Sequence, residues 1–365
     1  MGKRPIILAF YLPQYYPFKE NNEWWGPGFT EWTSVGRAKP LFKGHYQPKV
    51  PRDLGYYDLR LPETRIAQAK MAEEYGVNGF IYWHYWFGDG RRLLDIVEDE
   101  VTASGKPAFP YCYCWANHTW YSKNWNNKDT KFGHQVLIEQ TYPGREDYIL
   151  HFNHCLKAFR NVNYIRVGNK PVFAVYDASM IPDICEFIGL WNDLAVKQGF
   201  DGIYFICFCN NISAYEKCKD MPFDIITVDP FSSADRKRPK VETLWRTLMT
   251  KFKLDDYLSL RLIDYNRYVD VAMEFFKNHP EIVPCVLPNY DHSPRSGKNA
   301  IILTNSTPQR FGVFLNKIKE LISDRNNNSF LFVKAWNEWG EGNYLEPDLK
   351  YGCGYLEQIK NVFGV

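Results

Sequence analysis

Short apolar or aromatic runs recur along the chain, and each is followed by polar and aromatic residues and then by a stretch with helical periodicity. Runs of this length between turn signals are typical of buried strands. They predict strands at residues 6–12, 79–83, 108–114, 171–176, 203–209, 224–228, 282–287 and 330–335. Amphipathic stretches predict helices at residues 62–75, 91–103, 145–159, 182–198, 264–278, 308–323 and 355–362, with a weaker helix at 214–219.

The alternation of strand and helix, repeated eight times, is the pattern of a (β/α)8 TIM barrel, an α/β fold. A doubly wound sheet fits less well, because Pro13, Gln14 and Tyr15 follow the first strand where a phosphate-binding glycine loop would begin. Two insertions, at residues 16–61 and 231–263, predict elaborated βα loops. The sequence contains no linker or repeat, so we predict that residues 1–365 form a single catalytic domain.

The composition removes several classes of function. The 365 residues include 25 tyrosines, 25 phenylalanines and 12 tryptophans, which excludes a disordered chain. A net charge of +2 argues against nucleic acid as a partner, and the absence of a long apolar run predicts no membrane span. The nine cysteines are an odd number and lie mostly in apolar runs, which favours free thiols and a cytoplasmic location. The first residues show no signal-peptide pattern, in keeping with that expectation.

In a barrel of this kind the active site lies at the C-terminal ends of the strands. Aromatic rings with hydrogen-bonding groups between them occur there, and this lining suits a sugar, although any one ring could simply pack the barrel mouth. We therefore predict an oligosaccharide or polysaccharide substrate and no metal or other cofactor. The predicted substrate-binding residues are Tyr11, Gln14, Trp32, His84, Trp86, Trp115, Asn117, His118, Asp177, Asn289, Tyr290, Trp336, Asn337 and Trp339.

The candidate catalytic groups follow the eighth strand, in the run from Trp336 to Gly342. Glu338 and Glu341 lie three residues apart on a turn that Gly340 and Gly342 allow, so their carboxylates could be about 5 to 6 Å apart. That separation falls in the range of retaining glycoside hydrolases. Two close carboxylates also oppose each other's ionisation, and one pKa should rise into the range of a general acid. The alternative is a surface turn with two solvated glutamates.

Four segments of the chain carry a family resemblance. They are residues 29–32 (Phe-Thr-Glu-Trp), 46–60 (with Tyr-Gln-Pro and Gly-Tyr-Tyr-Asp-Leu-Arg), 115–117 (Trp-Ala-Asn) and 337–347 (Asn-Glu-Trp-Gly-Glu-Gly-Asn-Tyr-Leu-Glu-Pro). Together they resemble the WbsX-like family, which belongs with the glycoside hydrolase family 99-like domains, and the resemblance covers essentially the whole chain. It implies a barrel related to the endo-α-mannosidases and a role in polysaccharide or lipopolysaccharide biosynthesis or processing.

The resemblance also implies a mechanism. In the family an Asn-Glu-Trp-x-Glu turn supplies both catalytic carboxylates, so Glu338 would be the base that deprotonates the sugar 2-hydroxyl, and Glu341 the acid that protonates the leaving oxygen. The reaction would pass through a 1,2-anhydro sugar with net retention. One position departs from the family pattern, in which Trp-Ala-Asn is commonly followed by Glu. His118 stands there, which changes the local charge and is expected to alter the preferred glycan.

Two other functions fit parts of the pattern. A glycosyltransferase would fit the biosynthetic association, but the sequence has no Asp-x-Asp motif and no glycine-rich phosphate loop. A non-catalytic glycan-binding barrel would need the aromatic rings but not two neighbouring carboxylates. The sequence therefore favours a retaining glycoside hydrolase or transglycosidase that acts on a mannose-like, α-linked glycan.

Overall fold

Eight parallel strands close into a barrel, which confirms the predicted fold. The structure, a computed structural model, describes residues 4–122, 135–236, 260–323, 325 and 330–364. Each barrel strand pairs in parallel with the next one along the chain, and the first pairs with the eighth, which closes the barrel. The strands are Ile6–Tyr11 (β1), Gly79–Trp86 (β2), Tyr111–Trp115 (β3), Lys170–Val175 (β4), Tyr204–Cys209 (β5), Ile225–Val228 (β6), Val283–Val286 (β7) and Phe330–Val333 (β8).

Helices connect the strands and cover the outside of the barrel. Pro62 lies in the first turn of the helix that runs to Glu74, where a proline is tolerated. Asn211 stabilises the start of the helix that begins at Ile212, because its side chain accepts a hydrogen bond from the backbone of Ala214. The described helices are Lys19–Trp25 (α1), Glu31–Arg37 (α2), Pro62–Glu74 (α3), Asp95–Ser104 (α4), Arg145–Phe159 (α5), Ile184–Lys197 (α6), Ile212–Cys218 (α7), Phe231–Arg236 (α8), Tyr265–Asn278 (α9), Ser293–Ser296 (α10), Pro308–Ser323 (α11) and Gly354–Phe363 (α12).

Short strands outside the barrel shape its loops. Arg261–Asp264 pairs in parallel with Ile301–Thr304, and Asn337–Glu338 pairs in antiparallel fashion with Asn343–Tyr344. The other short pairings join Arg92–Leu93 to the end of β2, Trp120–Tyr121 to Val136–Ile138, and Arg166–Val167 to β4.

Two predicted boundaries shift for identifiable reasons. Strand β2 runs three residues beyond the predicted end at residue 83, because His84 still pairs with Trp115 of β3, and Tyr85 and Trp86 pair with the short strand Arg92–Leu93. Helix α4 begins at Asp95 and not at residue 91, because Arg92–Leu93 turns back onto β2 and Leu94 has a left-handed φ of 58°.

The alternation of side chains along each strand divides the barrel into an inner and an outer layer. Inside, Phe10 stacks on Trp83 at 4.7 Å and meets the edge of Phe208 at 4.8 Å. Outside, Phe173 packs on Trp191 of α6 at 4.7 Å. Residues of the same strand therefore belong to two different environments according to whether their positions are odd or even.

The two predicted insertions differ in how far the structure describes them. The first contains α1 and α2, whereas residues 237–259 of the second lie outside the described residues. All nine cysteines are free, and only Cys185 is exposed. No described helix combines the length and the apolarity that crossing a membrane requires.

Candidate active site

A cavity of about 390 Å³ opens at the C-terminal ends of the strands, within the size range of ligand pockets. Its lining combines aromatic rings with charged groups from several strands and loops. Among the described residues it is formed by Leu12, Gln14, Asn21, Trp25, Phe29, Glu31, Trp83, Tyr85, Ala116, His118, Thr119, Trp120, Tyr121, Leu137, Tyr176, Arg295, Lys334, Glu338 and Glu341.

Glu338 and Glu341 reach this cavity from a compact hairpin after β8, residues 337–344, which we name the carboxylate turn. The backbone pairs Asn337 with Tyr344 and Glu338 with Asn343. Gly342 has a left-handed φ of 54°, which glycine adopts at no steric cost. At Gly340 a Cβ atom would overlap Glu31 Oε2, so the glycine lets that carboxylate approach the turn.

Two buried side chains fasten the carboxylate turn to the end of β1. The amide of Asn337 accepts a hydrogen bond from the backbone of Leu12 at 2.7 Å and donates one back to Leu12 at 3.0 Å. The Tyr15 hydroxyl donates to the carbonyl of Asn337 and accepts from the backbone N–H of Trp339 at 3.0 Å. These bonds fix the height of the carboxylates above the barrel.

Glu338 is buried, and its Oε1 accepts a hydrogen bond from Trp83 Nε1 at 2.8 Å. Burial raises the pKa of Glu338 to about 7, and the neighbouring charge of Glu341 adds to the rise. Lys334 and Arg295 oppose it. The carboxyl group can therefore gain or lose a proton near neutral pH.

Glu341 is held differently, by an ion pair with Arg295. Arg295 Nη1 lies 2.6 Å from Glu341 Oε1, and its Nε donates to Glu31 Oε2 at 3.0 Å. Burial alone would lower the pKa of Arg295, but the carboxylates of Glu31, Glu341 and Glu338 raise it. The guanidinium thus keeps its charge and bridges α2 to the carboxylate turn.

A second cation, Lys334, enters the cavity at the end of β8. Its Nζ lies 3.7 Å from Asp229 Oδ2, at the end of β6. Desolvation would lower the pKa of Lys334, but Asp229, Glu341 and Glu338 raise it well above its usual value. The ammonium therefore stays charged beside the two carboxylates.

A third carboxylate, Glu346, supports the carboxylate turn from behind. It accepts hydrogen bonds from Trp339 Nε1 at 2.6 Å, Gln68 Nε2 at 2.7 Å and the Tyr57 hydroxyl at 2.9 Å. Burial raises the pKa of Glu346 to about 7, although these three donors lower it. Trp339 is also stacked on Tyr344, with ring centroids 3.8 Å apart.

The structure places the predicted site residues in three groups. Gln14, His118, Glu338 and Glu341 line the cavity. Asn337 and Trp339 belong to the carboxylate turn itself, and the Trp32 ring packs against Trp339 at 5.6 Å. The remaining predicted residues lie elsewhere in the fold.

Several of this remaining group point outward from the barrel, because they alternate with the cavity residues of their own strand. Tyr11 donates to Gln68 on α3 at 2.6 Å, and Trp86 stacks on His151 of α5 at 4.6 Å. The outward positions are those of Tyr11, His84, Trp86 and Trp115, which lie one residue before or after Leu12, Trp83, Tyr85 and Ala116 of the cavity. Asn117 and Asp177 lie just beyond the strand ends, where Asn117 Nδ2 donates to the Asp177 carbonyl at 2.7 Å and Asp177 Oδ1 accepts from the Ser179 hydroxyl at 2.7 Å.

Three further predicted residues are not part of the lining of this cavity, for other reasons. Trp336 is buried against Phe80, with ring centroids 5.1 Å apart. Tyr290 packs on Phe231 at 4.6 Å, and Asn289 bonds to the backbone of Tyr344 and faces a second cavity.

Sequence reasoning missed several cavity residues, including Trp83, Tyr85 and Tyr176. Strand alternation indicates that Trp83 and Tyr85 share one face of β2, but it leaves open which face points into the barrel. Glu31 and Arg295 carry no such signal, because they lie on the short helices α2 and α10, whose approach to the carboxylate turn depends on tertiary packing.

Three groups with metal-ligand geometry lie between the outer faces of strands and the helices that cover them. They are His84, His151 and Cys155; Cys207, Cys209 and Cys218; and His84, Glu98 and His154, with the potential ligand atoms of each group within 4.8 Å of one another. Among the described residues, no member of these groups lines the cavity.

Comparison with known proteins gives one family and a consistent fold. The family model described as Glycosyltransferase WbsX matches residues 7–359. The chain is 33% identical over 360 residues to proteins named "Uncharacterized protein WxcX" from two strains of Xanthomonas campestris pv. campestris, and the match covers 97% of the chain. The chain spans about half the length of these relatives, since the match covers 49% of each.

Solved structures of similar fold include an endo-α-mannosidase of glycoside hydrolase family 99 from Bacteroides thetaiotaomicron, in complex with bis-tris-propane. It aligns with a TM-score of 0.54 at 15% identity, over 98% of this chain and 95% of that one. A structure described as a glycoside hydrolase-like protein aligns with a TM-score of 0.60 at 14% identity, over 100% of this chain and 95% of that one. At these identities the likeness establishes the barrel.

Proposed function

This chain belongs to the family described as Glycosyltransferase WbsX, and from that membership and the cavity geometry we propose that it is a retaining glycoside hydrolase or transglycosidase. Its substrate would be a mannose-like, α-linked glycan, processed during polysaccharide or lipopolysaccharide biosynthesis. The observation that carries this proposal is the carboxylate pair of Glu338 and Glu341 in an aromatic cavity, with the pKa of Glu338 raised to about 7 by burial and by its neighbour.

We assign Glu338 as the base and Glu341 as the acid, as the family resemblance implies. Glu338 takes the proton of the sugar 2-hydroxyl, and that oxygen attacks the anomeric carbon. The glycosidic bond breaks as Glu341 protonates the leaving oxygen, which gives a 1,2-anhydro sugar. A water molecule or an acceptor hydroxyl then gives its proton to Glu341 and opens the ring, while Glu338 returns its proton to the 2-oxygen. Two inversions give net retention.

The electrostatic surroundings of the two carboxylates support the role of Glu338 as base more directly than the role of Glu341 as acid. A carboxylate with a pKa near 7 is a stronger base than an ordinary one, and about half of it is ionised at neutral pH, which suits Glu338. The ion pair with Arg295 favours the ionised form of Glu341, which suits the second step, in which Glu341 accepts a proton. The first step needs a proton on Glu341, so its role as acid calls for a direct test.

The test uses Glu338→Gln and Glu341→Gln on two α-mannosides, one with an alkyl leaving group and one with a dinitrophenyl leaving group. Loss of the base should reduce kcat/KM about a thousandfold on both substrates. Loss of the acid should do so on the alkyl glycoside alone, because a dinitrophenolate leaves without protonation. Both variants should still bind the glycan, and the wild type should release the α-anomer first.

Other outcomes would point elsewhere. Full turnover by both variants would rule out the carboxylate pair, and the reverse dependence on leaving group would exchange the two roles. Transfer of labelled sugar from a nucleotide donor, without hydrolysis or transglycosylation, would establish the glycosyltransferase that the family description names. Glycan binding by a wild type that turns over no substrate would indicate a binding barrel.

A further inference from the structure

A second cavity, of about 420 Å³, lies on the opposite side of the carboxylate turn from the first. The two share a wall, since the Asp291 backbone donates to the Glu341 carbonyl at 2.7 Å while Asp291 itself lines the second cavity. The described lining includes three lysines, Lys43, Lys49 and Lys350.

Lys49 is a buried ammonium with spare hydrogen-bonding capacity. Its Nζ donates to the carbonyl of Gly342 at 3.0 Å, and within the described part of the chain it has no carboxylate within ion-pair distance. An ammonium can donate three hydrogen bonds, so two remain available. Burial lowers the pKa of Lys49, although the more distant Asp291 and Asp348 oppose this. The cavity therefore holds a positive charge that the protein only partly balances.

Lys350 adds a second positive charge at the edge of the cavity. Its Nζ lies 4.8 Å from the ring centroid of Tyr46 and 4.9 Å from that of Tyr351. Both rings line the same cavity, and they position the ammonium without using up its donors.

The two nearby carboxylates, Asp291 and Asp348, already accept hydrogen bonds from other groups of the protein. Asp291 Oδ2 accepts hydrogen bonds from His45 at 2.7 Å and Gln47 at 2.6 Å. These contacts and the charge of Lys49 hold the pKa of Asp291 at about 2, against the effect of burial. Asp348 accepts from the Tyr344 hydroxyl at 2.7 Å and from the backbone N–H of Lys350 at 2.9 Å. Their oxygens are directed to these donors, while the ammoniums of Lys49 and Lys350 keep donors available.

We propose that this second cavity is a binding site for an oxyanion, the phosphate or carboxylate group of a ligand separate from the sugar bound at Glu338. Lys49 and Lys350 supply the charge. The hydroxyl of Thr307, which also lines the cavity just before α11, accepts a hydrogen bond from the backbone of Arg310 and supplies a neutral hydrogen-bond donor. Since the cavities share the Glu341–Gly342 backbone as a wall, the anionic ligand sits directly behind the carboxylate turn.

Titration calorimetry of the whole chain in a low-salt, phosphate-free buffer near pH 7 tests this site, and it needs no activity. The probes are inorganic phosphate, D-glucuronate and, as an uncharged comparison, D-glucose. We expect saturable binding of phosphate, glucuronate or both, and none of glucose. Preference between the two anions identifies whether the ligand carries a phosphate or a sugar carboxylate.

The variants are Lys49→Gln, Lys350→Gln and the matched control Lys70→Gln, an exposed position on α3. Each cavity variant should weaken binding about tenfold or more, and the control should bind like the wild type. Because Lys350 is exposed, its variant remains informative even if the buried change at Lys49 impairs folding. Absence of anion binding by the wild type, or unchanged affinity in Lys350→Gln and in a folded Lys49→Gln, would overturn the assignment.

Discussion

Two neighbouring residues of β2 contact buried glutamates in opposite environments. Trp83 points into the barrel and donates to Glu338 at 2.8 Å, whereas His84 points outward and lies 2.8 Å from Glu98 of α4. Burial raises the pKa of Glu338 to about 7. Burial would also raise the pKa of Glu98, but His84 and Arg92 lower it below its usual value.

The difference teaches what separates the proposed catalytic carboxylate from a buried carboxylate that the protein itself neutralises. Glu98 accepts from Arg92 at 2.8 Å as well as facing His84, so the protein itself satisfies its charge. Glu338 has one neutral donor and a like-charged neighbour, Glu341, and it faces a cavity. Partners, and not burial, decide which of the two can exchange a proton with a ligand.

The largest contrast should appear in turnover. We expect Glu338→Gln to lower kcat about a thousandfold or more, because the amide cannot accept the proton of the sugar. We expect Glu98→Gln to leave kcat per folded molecule unchanged. It should instead lower the free energy of unfolding by about 3 kcal/mol, because His84 and Arg92 lose a buried charged partner.

Initial rates on an α-linked manno-oligosaccharide and urea unfolding measure the two effects separately. The assignment of a catalytic role to Glu338 and a structural role to Glu98 would be wrong in either of two cases. In the first, Glu98→Gln abolishes turnover in a folded protein; in the second, Glu338→Gln unfolds the chain while the remaining folded fraction keeps full activity.

The second contrast lies in the pH dependence of stability, where the two carboxylates should act with opposite signs. Between about pH 4.5 and 7 native Glu338 keeps a proton that the unfolded chain has lost. The wild type should therefore lose stability relative to Glu338→Gln as pH rises through that window, by up to about 3 kcal/mol.

Glu98 should behave in reverse. Its ionised form stabilises the native state above its ordinary pKa, and this contribution disappears as pH falls through the lowered native value. The deficit of Glu98→Gln should thus shrink at acid pH. Urea unfolding of the wild type and both variants from about pH 2.5 to 8 measures both curves, and curves of the same sign would refute the assignment of environments.

The features of the fold and the site that could be predicted from the sequence are those that depend on residues close together in the chain. The barrel follows from local pattern, since the strand and helix signals repeat along the chain. The carboxylate turn is likewise local, because Glu338, Gly340, Glu341 and Gly342 lie within five consecutive positions.

Other features of the site could not be read from the sequence. Whether His84 or Trp83 faces the cavity depends on the register of β2, and a shift of one residue exchanges the two faces. The contacts of Glu31 and Arg295 with the carboxylate turn join residues far apart in the chain, which no local pattern encodes.

A third and smaller contrast concerns two glycines. At Gly340 a Cβ would overlap Glu31 Oε2 and lie 2.9 Å from Arg295 Nε, so Gly340→Ala should displace the ion pair that holds Glu341. We expect kcat/KM to fall about tenfold to a hundredfold, in line with a destabilisation of about 1 to 3 kcal/mol at the turn.

The matched control is Gly189→Ala, in the interior of α6, where a Cβ meets no atom within 4 Å. It should raise stability by up to about 1 kcal/mol through helix propensity and leave the kinetics unchanged. Steady-state kinetics with thermal unfolding check both variants, and equal kinetic losses would mean that close packing at Gly340 is irrelevant to the site.

The smallest contrast tests strand alternation itself at the end of β1. Gln14 lines the cavity two positions after Leu12, whereas the Tyr11 hydroxyl donates to Gln68 outside the barrel. Gln14→Ala should raise KM about fivefold to tenfold through the loss of one hydrogen bond to the sugar. Tyr11→Phe should leave KM unchanged and lower the free energy of unfolding by about 1 kcal/mol, because a buried hydrogen bond is lost.

Steady-state kinetics and urea unfolding of both variants separate these outcomes, since one change acts on the bound sugar and the other on the folded chain alone. A raised KM in Tyr11→Phe with normal values in Gln14→Ala would mean that the outer layer contacts the glycan. The register of β1 would then have to shift by one residue, and Ile6, now opposite Phe330, would pair differently with β8. Strand alternation thus makes the weakest kinetic effect a test of the geometry on which the larger effects depend.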